Sequence, residues 1–286
     1  MFPQVTIVGP GLLGASVAMT LRRRKACDRI VIWARNAERI EECMEKEWCD
    51  HAEENLASAV SGSSVVVVCT SVASISSLVS AIMPDTSEGM IVTDVGSVKE
   101  SICKEADESS SGAYGTFIGS HPMAGSEKSG MTHAKADLFD GKPCIITPAE
   151  NTPELAMRTV RTFWENLGMK VFSMNPREHD RSVAYLSHLP HFLSSSLAHC
   201  LDEIPEEWKQ LAGRGLMDTT RIAEGDPELW EQIMVMNKPH LLESFSKLEK
   251  SLKLAKNQLE KGSAKELREF LETGSMFRKS LDNTDK

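Results

Sequence analysis

The sequence predicts an α/β fold in which a doubly wound, mainly parallel sheet comes first and an all-helical C-terminal domain follows. Three observations predict it. Over residues 1–172, short apolar runs alternate with longer segments of helical periodicity, the pattern of repeated strand–helix–strand units. Several of those runs are apolar at nearly every position, as strands covered on both faces require. Beyond about residue 173 the strand signals cease. The expected division is therefore residues 1–172 for the sheet domain and 173–286 for the helical one, and this length suits two domains.

Taken in order, strands are predicted at residues 5–8, 30–33, 65–69, 91–94, 117–119, 144–147 and 170–172, with helices near 12–24, 38–46, 73–82, 99–107 and 153–166. The later helices are predicted at 178–200, 206–224, 228–258 and 264–280. Pro190 lies inside the first of these and should bend or interrupt it. Around the third, Leu241, Leu242, Phe245, Leu248, Leu252 and Leu259 recur at helical spacing. They serve either an ordinary helical core or a subunit interface.

Composition narrows the function. Hydrophobic residues are 41% and charged residues 26% of the chain, ordinary for a globular protein with a full core. A net charge of −9 argues against general binding to nucleic acid or to anionic membranes. The seven cysteines are odd in number and lack C-x-x-C spacing, which argues against a disulfide framework or zinc ribbon and suits a reducing cytoplasm. The N-terminus enters a strand without a basic and apolar leader, and no apolar run reaches bilayer-spanning length.

The strongest local motif is Gly9-Pro10-Gly11-Leu12-Leu13-Gly14, directly after the first strand and opening an apolar helix. Gly9 permits a tight turn, Gly11 lets a pyrophosphate approach the backbone, and Gly14 lets helix and strand pack closely. The helix N-terminus offers free N–H groups and a positive dipole end to the phosphates. This strand–turn–helix context makes the sheet domain Rossmann-type, with a bound dinucleotide. Leu12 and Leu13 in the turn, and Thr70 and Ser71 just past the strand at 65–69, complete the expected cofactor contacts. The second strand ends Trp33-Ala34-Arg35, where NAD-binding chains usually carry an acid for the ribose 2′-hydroxyl. An arginine pairs instead with a 2′-phosphate, so NADP is favoured over NAD. Arg39, one turn on, is either an assistant or simply an exposed helix residue.

Two segments at the carboxyl ends of later strands are unusual: Asp94-Val95-Gly96-Ser97-Val98-Lys99, and a polar, glycine-rich loop from Gly119 to Gly130 that contains His121. Open α/β sheets bind ligands at this edge. A His and a Ser beside a nicotinamide suit alcohol oxidation, the imidazole taking the hydroxyl proton. The helical half adds His179-Asp180, Ser187-His188-Leu189-Pro190-His191 and Asp218-Thr219-Thr220-Arg221-Ile222-Ala223. His188 and His191 share a helix face, but no spacing matches a zinc motif, and no metal is expected.

These motifs resemble, in kind and in order, those of the prephenate/arogenate dehydrogenase family of tyrosine biosynthesis. The resemblance runs through the glycine loop, GSVK, GSHPMAGSEKSG, HD, SHLPH and D-x-TRIA, covering nearly all of the chain apart from the last helices. It looks like a member without a fused chorismate mutase or regulatory domain. The resemblance implies oxidative decarboxylation of prephenate to 4-hydroxyphenylpyruvate, with NADP or NAD accepting hydride, or the same chemistry on arogenate to give tyrosine. It implies His121 as the catalytic His that polarises the ring hydroxyl, Ser97 orienting the same hydroxyl, and Arg221 binding a substrate carboxylate. His179, His191, Ser126 and Glu127 would line or gate the pocket. Trp230 resembles a tryptophan given across the dimer interface, and a homodimer through the helical domain is implied. Two departures stand out: Met217 where many relatives have arginine, and the missing acid after the second strand. His191 resembles the prephenate-using members. The rival readings are a β-hydroxyacid dehydrogenase, whose expected catalytic lysine motif is missing, and a non-catalytic NADP sensor.

Overall fold

A computed structural model describes residues 1–125 and 128–282. The chain divides into two compact units, Met1–Lys238 and a second beginning at Pro239.

In the first unit eight strands form one sheet. They are β1 (Phe2–Val8), β2 (Cys27–Trp33), β3 (His51–Glu53), β4 (Val65–Val68), β5 (Ile91–Asp94), β6 (Thr116–Pro122), β7 (Pro143–Thr147) and β8 (Lys170–Ser173). Their order is β3-β2-β1-β4-β5-β6-β7-β8. Neighbours pair in parallel, except β6 with β7. The order turns outward from β1 in both directions, which opens a crevice between the β1 and β4 carboxyl ends. Four consecutive valines explain why β4 reads as one apolar run. Val65 and Val67 enter the core on one face, and Val66 and Val68 enter the core on the other. The helices Leu12–Arg24 and Glu154–Asn166 cover the first face, and Val72–Ile82 and Glu100–Ser109 the second.

Seven of the eight strands are predicted from sequence. The exception, β3, is three residues long with one buried side chain, too short for a period to register. A second difference matters more. The expected strand at 117–119 continues to Pro122 and pairs antiparallel with β7, His121 opposite Ile145. His121 therefore sits on a sheet strand rather than in a loop, held by ladder partners on rigid scaffold.

Residues 176–238 belong to the first unit. The uninterrupted helix expected over 178–200 is instead Pro176–Val183, a π-helical turn Ala184–His188, and Leu189–Cys200 with Pro190 in its first turn. Proline has no N–H and its ring crowds the carbonyl four residues back; the wider π turn relieves both. The second unit holds the helix Ala264–Leu281 and all but the first residue of Lys238–Glu260. Leu242, Leu252 and Leu259 are more than half exposed there. Among the described residues, no helix is long and apolar enough to cross a membrane. No group of three His, Cys, Asp or Glu side chains among them is placed to hold a metal ion.

Candidate active site

The glycine turn has the geometry its sequence demands. Gly9 has φ +98°, a conformation that other residues adopt only with strain. A side chain on Gly14 would collide with the Gly9 carbonyl, so helix and strand pack at glycine distance. At Gly11, by contrast, nothing lies within 4 Å of where a side chain would stand. The helix that follows has no side-chain cap and no acid in its first turn, leaving its positive end open to an anion. Gly9, Gly11, Arg35, Thr70 and Ser71 border one cleft of about 340 Å³. Leu12 and Leu13 do not border it; they pack against the core. Arg39, Asn36 and Ser74 border it as well, and of these sequence reasoning weighs only Arg39, which also pairs with Glu42 at 2.8 Å. This chain's residues fit a dinucleotide: an open backbone at Gly11, an uncapped helix end and two arginines.

A second cleft, of about 350 Å³, gathers Ser97, His121, Arg221 and Trp230 with Ser187 and Ile233. Residues more than a hundred positions apart thus meet at one opening. Ser97 follows a tight turn in which the Gly96 N–H donates to Asp94 Oδ2 at 2.9 Å. A side chain at Gly96 would press on that carboxylate. Arg221 begins a short 3-10 turn, Arg221–Glu224, and is exposed. Met217 is 59% exposed. Ser126 and Glu127 lie outside the described residues.

His179 and His191 are placed elsewhere. His191 is buried and borders a neighbouring cleft with Trp230, their ring centroids 3.6 Å apart. Both its ring nitrogens are buried without a hydrogen-bond partner among the described residues. His179 has no exposure and lies behind His121, its Nε2 2.8 Å from His121 Nδ1. His179 Nδ1 is 2.7 Å from Asp180 Oδ1. Asp180 also receives the N–H groups of Lys99 and Glu100 at 2.7 and 2.9 Å. The fully buried Lys99 ammonium pairs with Asp94, whose other oxygen accepts the Ser120 N–H at 2.9 Å. Sequence reasoning names these residues inside its motifs but gives Asp94, Lys99 and Asp180 no role; the 81 positions between Lys99 and Asp180 hide the contact.

Burial holds the His121 imidazole well below its ordinary range, and the neighbouring His179 and Lys99 push the same way. Burial also lowers His179, against the opposing pull of Asp180. His188, whose Nδ1 accepts from Asn237 Nδ2 at 3.0 Å, is pushed down by burial to about 4. The unfolded chain protonates His188 below its ordinary 6.5 while the folded chain does not. Stability is therefore lost as pH falls from about 6.5 towards 4, by roughly 3 kcal/mol from this one group. Urea unfolding at neutral pH and near pH 4 should show a smaller acid loss for His188→Asn than for the unaltered chain; equal losses would contradict this.

Two family models account for most of the chain. The model for the prephenate dehydrogenase nucleotide-binding domain matches residues 17–173, and that for the prephenate dehydrogenase dimerization domain matches residues 175–273. The chain belongs to the prephenate dehydrogenase family. Among solved structures, the prephenate dehydrogenase from Aquifex aeolicus in complex with hydroxyphenyl propionate and NAD+ is 30% identical, with TM-score 0.90, covering 98% of this chain and 99% of that one. Synechocystis arogenate dehydrogenase is 31% identical, with TM-score 0.84, covering 97% of this chain and 99% of that one. The prephenate dehydrogenase of Bacillus subtilis (strain 168) is 28% identical over 281 residues, 97% of this chain and 76% of that protein. The chain is thus a nicotinamide-dependent oxidoreductase of the prephenate dehydrogenase family, not a β-hydroxyacid dehydrogenase or a cofactor sensor.

Proposed function

We propose that this chain oxidatively decarboxylates prephenate to 4-hydroxyphenylpyruvate, with NADP as the favoured oxidant. The observation that carries this reading is the single cleft at which Ser97, His121 and Arg221 meet. When bound, the nicotinamide supplies the acceptor for the hydride that leaves the hydroxyl-bearing ring carbon.

The chain's own residues do the rest. Arg221 holds a carboxylate of the dianion by charge-assisted hydrogen bonds. Ser97 orients the ring hydroxyl. Nδ1 of His121 is engaged by His179, so Nε2 is the nitrogen that meets that hydroxyl and takes its proton. Burial keeps the imidazole neutral and ready to accept. The bond from the quaternary ring carbon to its carboxylate then breaks, carbon dioxide leaves, and the electron pair enters the ring. Aromatisation drives the step, and the phenolic oxygen recovers a proton.

The prephenate reading is supported by the two prephenate dehydrogenase domain models and by the similarity to prephenate dehydrogenases; the same chemistry on arogenate is the second reading, because an arogenate dehydrogenase is 31% identical. Trp230 borders the same cleft, and His191, packed against the Trp230 ring, borders the neighbouring one. The NADP preference rests on Arg35 and Arg39 at the cofactor cleft, whose described lining has no carboxylate to repel a 2′-phosphate. The helical residues 173–286 serve substrate binding and a homodimer, supported by the dimerization-domain match and the exposed leucines of the second unit. A monomeric mass in light scattering at micromolar concentration would reject the dimer. The seven free thiols suit work in the cytoplasm. Incubation with prephenate and NADP should yield carbon dioxide, 4-hydroxyphenylpyruvate and NADPH in equal amounts; reduced cofactor without carbon dioxide would overturn the reading.

A further inference from the structure

We infer that Asp180, acting through His179, fixes the tautomer of His121 so that its Nε2 carries the lone pair. Asp180 and His179 are then positioning residues; the kinetic consequence of this, though not the tautomer itself, rests on the proposed reaction.

Asp180 Oδ1 receives the Lys99 N–H at 2.7 Å, and Oδ2 receives the Glu100 N–H at 2.9 Å. Both oxygens already accept amide N–H groups, and an ionised carboxylate offers acceptors only. His179 Nδ1, 2.7 Å from Oδ1, must therefore donate. A neutral imidazole has one N–H, which leaves His179 Nε2 as an acceptor. His121 Nδ1, 2.8 Å from it, donates in turn. The single proton of His121 is then committed to Nδ1, and Nε2 is bare. Burial of both rings, with the Lys99 ammonium nearby, opposes a second proton on either.

The chain of bonds is anchored at its far end. Asp180 is tied to the start of the helix Glu100–Ser109 by those two amides, and its carbonyl accepts from Asn237 Nδ2 at 2.8 Å. Lys99 is held by Asp94. His121 is fixed on a sheet strand. Neither ring can turn over without breaking bonds that cross from the sheet to the helical residues. A His121 left free to choose would place its proton on Nε2 part of the time, and that form cannot take the hydroxyl proton. Loss of the analogous carboxylate from a Ser-His-Asp triad leaves the wrong tautomer and lowers kcat by about 10⁴. Here the effect passes through one more ring.

Nitrogen-15 NMR of the histidine-labelled chain at neutral pH should show His121 protonated at Nδ1 and bare at Nε2. In Asp180→Asn the Nε2 signal should move towards the protonated position. The same variant should lose about ten-fold or more in kcat, with KM for prephenate and cofactor dissociation constant within about two-fold. A merely structural role would not separate kcat from KM in this way. An unaltered chain with the His121 proton on Nε2 overturns the inference, as does a folded Asp180→Asn chain with undiminished kcat. Should that variant not fold, the spectrum of the unaltered chain decides alone. The expected tautomer in a chain inactive on prephenate and arogenate would sustain this inference while refuting the proposed function.

Discussion

Replacing His121 with asparagine lowers kcat by roughly 10²–10⁴-fold, the contribution of a positioned general base, and leaves cofactor affinity nearly unchanged. Asparagine keeps a polar side chain of similar reach, but it cannot take the proton that must leave the ring hydroxyl. The cofactor cleft is built from other residues, Gly9, Gly11 and Arg35 among them, so its affinity is insulated from the change. The pH profile of the unaltered enzyme carries a matching signature. Since His121 titrates below the ordinary imidazole range, kcat/KM stays level through neutral pH and falls only on the acid side, where Nε2 becomes protonated. Steady-state kinetics with calorimetric cofactor binding checks both statements. An unchanged kcat would remove His121 from the chemistry.

Arg221→Ala should raise KM for the dianionic substrate by about ten-fold or more, with a smaller effect on kcat. A hydrogen bond to a charged group contributes about 1.5–3 kcal/mol, and the exposure of Arg221 places it at the lower end. The group binds a carboxylate in ground and transition states alike, the case in which loss appears in KM. Met217 is exposed, and Arg221 carries the formal charge of the described cleft lining. Arg221→Lys recovers part of the loss, because an ammonium supplies charge without the two-pronged geometry. An unaltered KM in Arg221→Ala would show that another group holds the substrate.

Much of this was legible before any coordinate. The glycine turn announces itself because its three glycines answer three local demands, and the valine run Val65–Val68 reads as a strand covered on both sides. The failures have equally local causes. β3 is too short to show a period. The Gly119–Pro122 segment carries turn-forming residues, yet antiparallel pairing with β7 extends it as strand, and no single-sequence signal reports that partner. Pro190 correctly marks an irregular helix, although the irregularity precedes it as a π turn. The depth of the site is what sequence conceals most. His179-Asp180 reads as a pocket motif, but the ring faces His121 from behind, because Asp180 is drawn onto the Lys99 and Glu100 amides 80 or so residues away.

Initial-rate formation of reduced cofactor, with prephenate or arogenate crossed against NADP or NAD, decides substrate and cofactor together. Prephenate with NADP should give the highest rate, the cofactor preference being set by Arg35 at the cofactor cleft. A higher rate with NAD would contradict the role of Arg35, and one with arogenate the choice of prephenate as substrate. No rate in any combination, with cofactor binding intact, would contradict the proposed reaction itself.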